Sequence, residues 1–450
     1  MTRTRLGSGS LAALRGPLVT FTGEPAHEGL SALRYEPDAI VTMAGGRIVA
    51  AGPARAVLRA LPQGTPVENC GRDALILPGF VDCHVHYPQL PVIGSYGAQL
   101  LDWLERYTFP AETRFGDVRY ARRVARRYLA ENLRHGVTTA AVFCTAHPQS
   151  VDAFFTEAAA LGMRMIAGKA LMDRHAPSAL RDTARRGYDE SKALIARWHG
   201  KGRLGYAITP RYAPTSTPAQ LEAAGALWRE HPQCWVQSHV SENRLEVAWA
   251  KELFPTARDY VDVYARFGLL GRRAIYGHGI HLTEREWRAL HESGTALAHC
   301  PTSNLFLGSG LFRWDRARKA TRPVRVGLAT DVGGGTSLSM LQTLSEAYKV
   351  AQMGGHSLSA AQAFWLATQG GAAALDLDDR IGRVAPGFDA DLIVLDLKST
   401  PLIAQRMDYV RDIDEALFVQ MTLGDDRAIN STWIAGRCAY RKPPGLGARS

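Results

Sequence analysis

Between about residues 76 and 380 the chain alternates short apolar runs with helix-patterned stretches, and this alternation restricts the fold more than any other feature. Eight runs read as strands, at residues 75–82, 137–143, 164–168, 204–209, 234–239, 274–278, 296–299 and 325–330. Helix is expected at about 118–135, where Asp117 is a suitable N-cap, and again at 151–161. Alternation of this kind over this length argues for a (β/α)8 barrel. A doubly wound open sheet is the competing arrangement. It lacks support because no Gly-x-Gly-x-x-Gly turn opens a helix after the first strand.

The flanks have a different texture. Residues 18–21 and 39–43 are β-rich, Gly45-Gly46 makes a turn, and 47–51 returns as a hairpin partner. Near the other end, 391–396 is a strand and 431–440 a hairpin about Ala435-Gly436. The expected fold class is therefore α/β: a (β/α)8, TIM-like barrel over 76–384, inserted into a small discontinuous β-sandwich domain built from 17–75 and 385–445. Residues 1–16 are expected to be a ragged tail.

Composition narrows the partners. The chain has 53 basic and 43 acidic residues, a net charge of +10, and much of the excess is Arg between Arg119 and Arg127. Arg122 and Arg126, like Arg123 and Arg127, stand one helical turn apart and so share a face, which reads as solvated surface. No aromatic-interleaved basic loop or zinc-finger spacing supports nucleic-acid binding. The six cysteines are scattered, with no C-x-x-C pair, as reduced thiols would be. No apolar run approaches the ~18 residues of a membrane span, and the N-terminus lacks the apolar core of a leader peptide. A cytoplasmic location, without membrane or nucleic acid, is the expectation.

Chemistry concentrates at strand ends. His84 and His86 close the first barrel run, and residues two apart on a strand point to the same face. Histidine is the commonest metal ligand, so this pair is a candidate for one ion. His239, His278 and Asp331 end three later runs, and in a barrel the strand C-termini open on one face. Glu242, three residues beyond His239, returns over the same pocket and suits acid/base work beside a metal. The bland alternative for Glu242 is a helix N-terminal carboxylate stabilised by the dipole.

Residues 78–86, His239-x-x-Glu242, Gly277-His278-Gly279 and Thr330-Asp331 together resemble the amidohydrolase superfamily. Residues 381–395 are similar to that superfamily's return strand into the small β domain, and the likeness runs from about 38 to 440. Within it, Tyr87-Pro88-Gln89 and residues 101–112, 209–214, 238–243 and 299–304 are similar to the guanine deaminase family. This resemblance implies metal ligation by His84, His86, His239 and Asp331, and catalytic work by Glu242, His278 and Asp331. It implies a substrate pocket of Gln89, Arg211 and Tyr212, which His239, Glu242 and Asp331 also face. It further implies one zinc ion per chain, a homodimer, and hydrolysis of guanine to xanthine and ammonia by a metal-activated water. The same donors serve Fe2+.

An Arg211 guanidinium matches the C6 carbonyl of guanine, whereas the amine of adenine would leave a buried donor unmatched, at about 1–3 kcal/mol. Two residues depart from the family pattern: Cys83, where a small or hydroxyl residue is common, and Tyr212, where Phe is expected. Three other readings stay open on the residues alone. One is a related deaminase or hydrolase acting on a pyrimidine, an adenosine derivative or a triazine. Another is a two-metal hydrolase bridged by a carboxylated Lys169. The last is an inactive, assembly-forming relative.

Overall fold

The apolar run at 75–82 is not one strand. It divides at Pro78-Gly79, and its halves belong to different sheets. In the computed structural model, which describes residues 11–97 and 99–443, Ala74–Pro78 lies in the sheet made by the chain ends, and Phe80–His86 opens the barrel. Gly79 permits the join, since a Cβ there would collide with the Thr138 side chain. The barrel thus begins after Gly79 rather than at 76.

The barrel strands are Phe80–His86, Val137–Phe143, Arg164–Gly168, Gly205–Pro210, Trp235–Val240, Ala274–His278, Ala296–His299 and Val326–Leu328, neighbours in chain order. Every adjacent pair is parallel. The seam between last and first is closed by backbone bonds, from His86 N–H to Val332 O at 2.8 Å and from Asp331 N–H to His84 O at 3.0 Å. The buried carboxylate of Asp82 reinforces it by accepting from Thr330 N at 3.0 Å and from the Thr330 hydroxyl.

The helix Val118–Arg134 starts where Asp117 accepts from Arg119 N. It buries Ala121, Val124, Ala125, Tyr128 and Leu129 against the barrel. Arg119, Arg122, Arg123, Arg126 and Arg127 are exposed, and Arg122 and Arg126 both pair with Glu157. The basic stripe is therefore a solvated, partly neutralised helix face.

Both chain ends meet in one mixed sheet. Its order is Arg437–Arg441, Ile429–Ile434, Leu392–Asp396, Ala74–Pro78, Ala12–Phe21, Leu33–Ala44 and Arg47–Pro53, with Val67–Asn69 also beside Ala12–Phe21. In its hydrogen bonding the expected sandwich is thus a single eight-stranded sheet. The expected tail needs correction. Residues 1–10 lie outside the described residues, but 12–16 are already strand, because Ala13 and Leu14 are buried in the sheet's core. The C-terminal portion also carries two helices, Pro401–Met407 and Ile413–Leu423, where only strands were expected. Ile413–Leu423 packs on the barrel helix Met340–Met353. Among the described residues, no helix is long and apolar enough to cross a membrane.

Candidate active site

The parallel strands bring their C-terminal ends to one rim, and the strand-end residues meet there. His84 and His86 project inward from the first strand. His86 Nε2 lies 3.1 Å from His239 Nε2, and Asp331 Oδ1 lies 3.4 Å from His84 Nε2 and 3.5 Å from His86 Nε2. His278 Nε2 stands 3.3 Å from Glu242 Oε2 and 3.7 Å from Asp331 Oδ2. Ring orientations are set from behind. His239 Nδ1–H donates to Arg211 O at 2.6 Å, and His278 Nδ1 is 2.9 Å from Asn304 Oδ1. The His84 ring lies against Gly277, close enough that a Cβ there would sit 2.7 Å from its Cε1. Three non-glycine residues of this rim, Ser241, His278 and Asp331, have left-handed backbones with φ of 49°, 73° and 49°. Such conformations persist only where the surroundings hold them, and they cluster at working sites.

Electrostatics favour neutral imidazoles and one retained carboxylate. Burial, reinforced by neighbouring histidines, pushes His86 and His239 well below the ordinary histidine value, and burial lowers His84 as well. Burial pushes Asp331 upward, but the adjacent His84 outweighs this and holds it below the usual range. Glu242 goes the other way: burial first, then the charges of Asp331 and Glu246, raise it well above the ordinary glutamate value. Ser309 Oγ lies 3.4 Å from Glu242 Oε1, and the buried Glu246 accepts from Glu242 N at 2.9 Å and fixes the turn.

The cluster also fits a metal. His84, His86 and His239, and again His84, His278 and Asp331, present ligand atoms within 4.8 Å of one another. His84 Nε2 and His278 Nε2 are buried without a hydrogen-bond partner, which costs about 1–3 kcal/mol per group unless a cation or ligand compensates. Imidazole and carboxylate donors of this kind suit zinc or iron.

Across the cavity lies a second group. Gln89 sits in the turn Tyr87–Val92, just beyond the first strand, and accepts from Gly333 N at 3.2 Å. Its Nε2 donates to Glu112 Oε1 at 3.0 Å. Arg211 Nη1 donates to both Glu112 oxygens, at 2.9 and 2.7 Å. All three residues are buried. Glu112 ends a helical segment, from Leu100 to Glu112, that caps the rim with Leu100, Trp103 and Leu104. With Tyr212 and Leu307, these side chains form the apolar wall of the cavity.

The structure brings all nine expected site residues together: His86, Gln89, Arg211, Tyr212, His239, Glu242, His278 and Asp331 line one cavity, and His84 lies against Asp331 beside it. Cys83 points away from it, its thiol 3.6 Å from Gly371 O, so this departure from the family pattern has no part in the pocket. Lys169 is also elsewhere. Its ammonium pairs with Asp182 and lies 3.3 Å from Glu190, so it bridges nothing at the cluster. Sequence reasoning missed Glu112, Asn304 and Glu246. The first two end segments already noted for their resemblance, 101–112 and 299–304, and that was the available signal.

The fold and this site define a class, and comparison with known proteins agrees: the sequence model of the amidohydrolase family matches residues 75–439, and the chain belongs to that family. Guanine deaminase of Escherichia coli (strain K12) is 48% identical over 438 residues, covering 97% of this chain and 99% of its own. The solved structure of the E. coli enzyme superposes with a TM-score of 0.94, covering 96% of this chain and 100% of that one. Guanine deaminase from Bradyrhizobium japonicum gives 0.94 at 37% identity with the same coverage. That from C. acetobutylicum, solved with guanine bound in its active site, gives 0.85 at 27% identity, again covering 96% and 100%. Within the amidohydrolases, the chain groups with the guanine deaminases.

Proposed function

We propose that this chain hydrolyses guanine to xanthine and ammonia at the rim cavity. The observation that carries the reading is the pairing of two groups across one cavity. Buried Glu242 beside His278 and Asp331 faces the linked Gln89, Glu112 and Arg211.

His84, His86, His239 and Asp331 would hold one divalent ion, zinc by preference and iron as the alternative. When bound, the ion supplies Lewis acidity that makes water nucleophilic near neutral pH. The protein does the rest. Arg211 donates to the C6 carbonyl of guanine, Gln89 fixes the ring's rotation, and the Trp103, Leu104 and Leu307 wall excludes bulk water. Glu242 delivers its proton to N3, beside the carbon bearing the amine, and that carbon becomes electrophilic. Asp331 and His278 accept hydrogen bonds from the attacking water and aim it. Glu242, now a carboxylate, takes the first proton lost by the water and passes it to the departing amine; the second, left on the new hydroxyl, returns to Glu242 as the C2 carbonyl forms, so guanine and water become xanthine and ammonia. Positioned acid/base groups of this kind contribute about 10²–10⁴-fold.

Ammonia release from guanine, adenine and cytosine, with and without a chelator, tests the reading. Guanine should be the substrate turned over, and chelation should abolish its turnover. A preference for adenine or cytosine would overturn it. Metal analysis should give one ion per chain, and two would restore the two-metal alternative. The reading includes a homodimer, for which sedimentation is the measurement. It also includes a cytoplasmic setting, which the unpaired cysteines support.

A further inference from the structure

Arg211 presents a cation to a ligand that carries no charge. Both bonds it makes to Glu112 leave from Nη1, so Nη2 and Nε remain for a ligand. The Arg211 and Glu112 side chains are 3% and 1% exposed, and burial of this degree gives their charges little solvent screening. The other titratable groups facing Arg211 are His86, His239, Tyr212 and Glu242. Among the described residues, Glu112 is the carboxylate that pairs with it. The same Glu112 accepts from Gln89, so one side chain sets the position of both and cancels the charge of one.

We propose that Glu112 is a specificity-determining positioning residue: it neutralises Arg211 so that the pocket selects a neutral, carbonyl-bearing purine and rejects purine anions, including its own ionised product. The inference rests on the guanine reading above and adds to it a reason for product release. Replacing the amine of guanine by a carbonyl creates an imide N–H between two carbonyls. Xanthine is therefore the stronger acid and becomes an anion at mildly alkaline pH, where guanine is still neutral. A bare guanidinium would hold that anion, whereas a guanidinium already paired with a carboxylate gains little from it.

The test is calorimetric binding of xanthine to the metal-loaded protein between pH 6 and 8, with hypoxanthine, which stays neutral over that range, as reference. The wild-type protein, Glu112→Gln and Glu112→Asp are compared. In the wild type, xanthine should weaken relative to hypoxanthine as it ionises. In Glu112→Gln the trend should reverse, with anion affinity gaining on the order of tenfold, the effect of about one pKa unit. Glu112→Asp, which keeps the charge, should restore the wild-type direction. A merely structural Glu112 would weaken both ligands at every pH without changing the trend, and that result overturns the proposal. Should Glu112→Gln not fold, the wild type still decides, because tighter binding of ionised xanthine overturns it as well. Guanine turnover is scored separately in the wild type. Its absence would remove the guanine reading, while the binding trend would still judge the charge argument.

Discussion

Gly277→Ala should strip the site of its metal while leaving the fold intact. Gly277 is the penultimate residue of the sixth barrel strand, just before His278, and its φ is not in the left-handed region, so the backbone accepts alanine. The obstacle is the His84 ring. An alanine Cβ would lie 2.7 Å from Cε1, 3.0 Å from Nδ1 and 3.1 Å from Nε2 of His84, where ordinary contact begins at 3.4 Å. The ring must therefore retreat by about 0.7 Å. It has little room, because Phe143 and the His239 ring pack on it with centroids at 4.7 and 4.6 Å. A metal ligand tolerates errors of only about 0.2 Å, so a shift of this size should cost roughly 10–100-fold in affinity. Crowding in a well-packed interior should cost about 1–3 kcal/mol of stability, which a barrel of this size can absorb. Metal content after dialysis against graded chelator reads the affinity, and thermal unfolding of the apo-protein reads the stability. Wild-type metal retention would show that the ring yields freely, and the reasoning from close approach would fail.

Glu242→Gln should retain its metal and lose guanine turnover by about 10²–10⁴-fold in kcat, and full activity would reject Glu242 as the proton carrier. Arg211→Ala should lower kcat/KM for guanine by about 10–100-fold, through the loss of a charge-assisted hydrogen bond, with metal content normal. Unchanged kinetics would remove Arg211 from the pocket. Asp389 joins the small sheet to the barrel through Arg47, Arg164 and Arg203. Burial pushes its carboxyl upward, but the three guanidinium groups outweigh this and hold it below the usual range. A depressed carboxyl stabilises the fold above its unfolded pKa, and the benefit is lost as pH falls through the folded value. Asp389→Asn should therefore cost about 2–3 kcal/mol in urea unfolding at pH 7, discounted because Arg47 is 43% exposed. The gap to wild type should narrow below about pH 4, and a gap constant with pH would reject the ion-pair account.

The barrel was legible because parallel strands buried on both faces appear as short apolar runs, each followed by a helix. The break at Pro78-Gly79 was not. The apolar pattern continues through it, and only the partner strands, Leu392–Asp396 on one side and Val137–Phe143 on the other, show that the run serves two sheets. The strand-end histidines could be read because their fold position fixes where they point. Glu112 could not, since it arrives on a helical cap whose placement depends on tertiary packing. The likeness of 101–112 to a known segment marked the place without revealing the carboxylate's partners. Gly277 was visible as part of a motif, but its reason, the ring of His84 against it, is a contact 193 positions away in sequence.

The seam of the barrel has a consequence for synthesis. Two of the proposed ligands stand on the first barrel strand, and the carboxylate comes from just beyond the last, where Asp331 N–H meets His84 O. A ribosome that has made every histidine of the cluster has still not made Asp331 or the strand that precedes it. The growing chain therefore holds scattered imidazoles, each a weak metal binder, until the ring of strands shuts. Metal capture thus falls late, at closure, and a chain truncated before residue 331 should emerge without its ion.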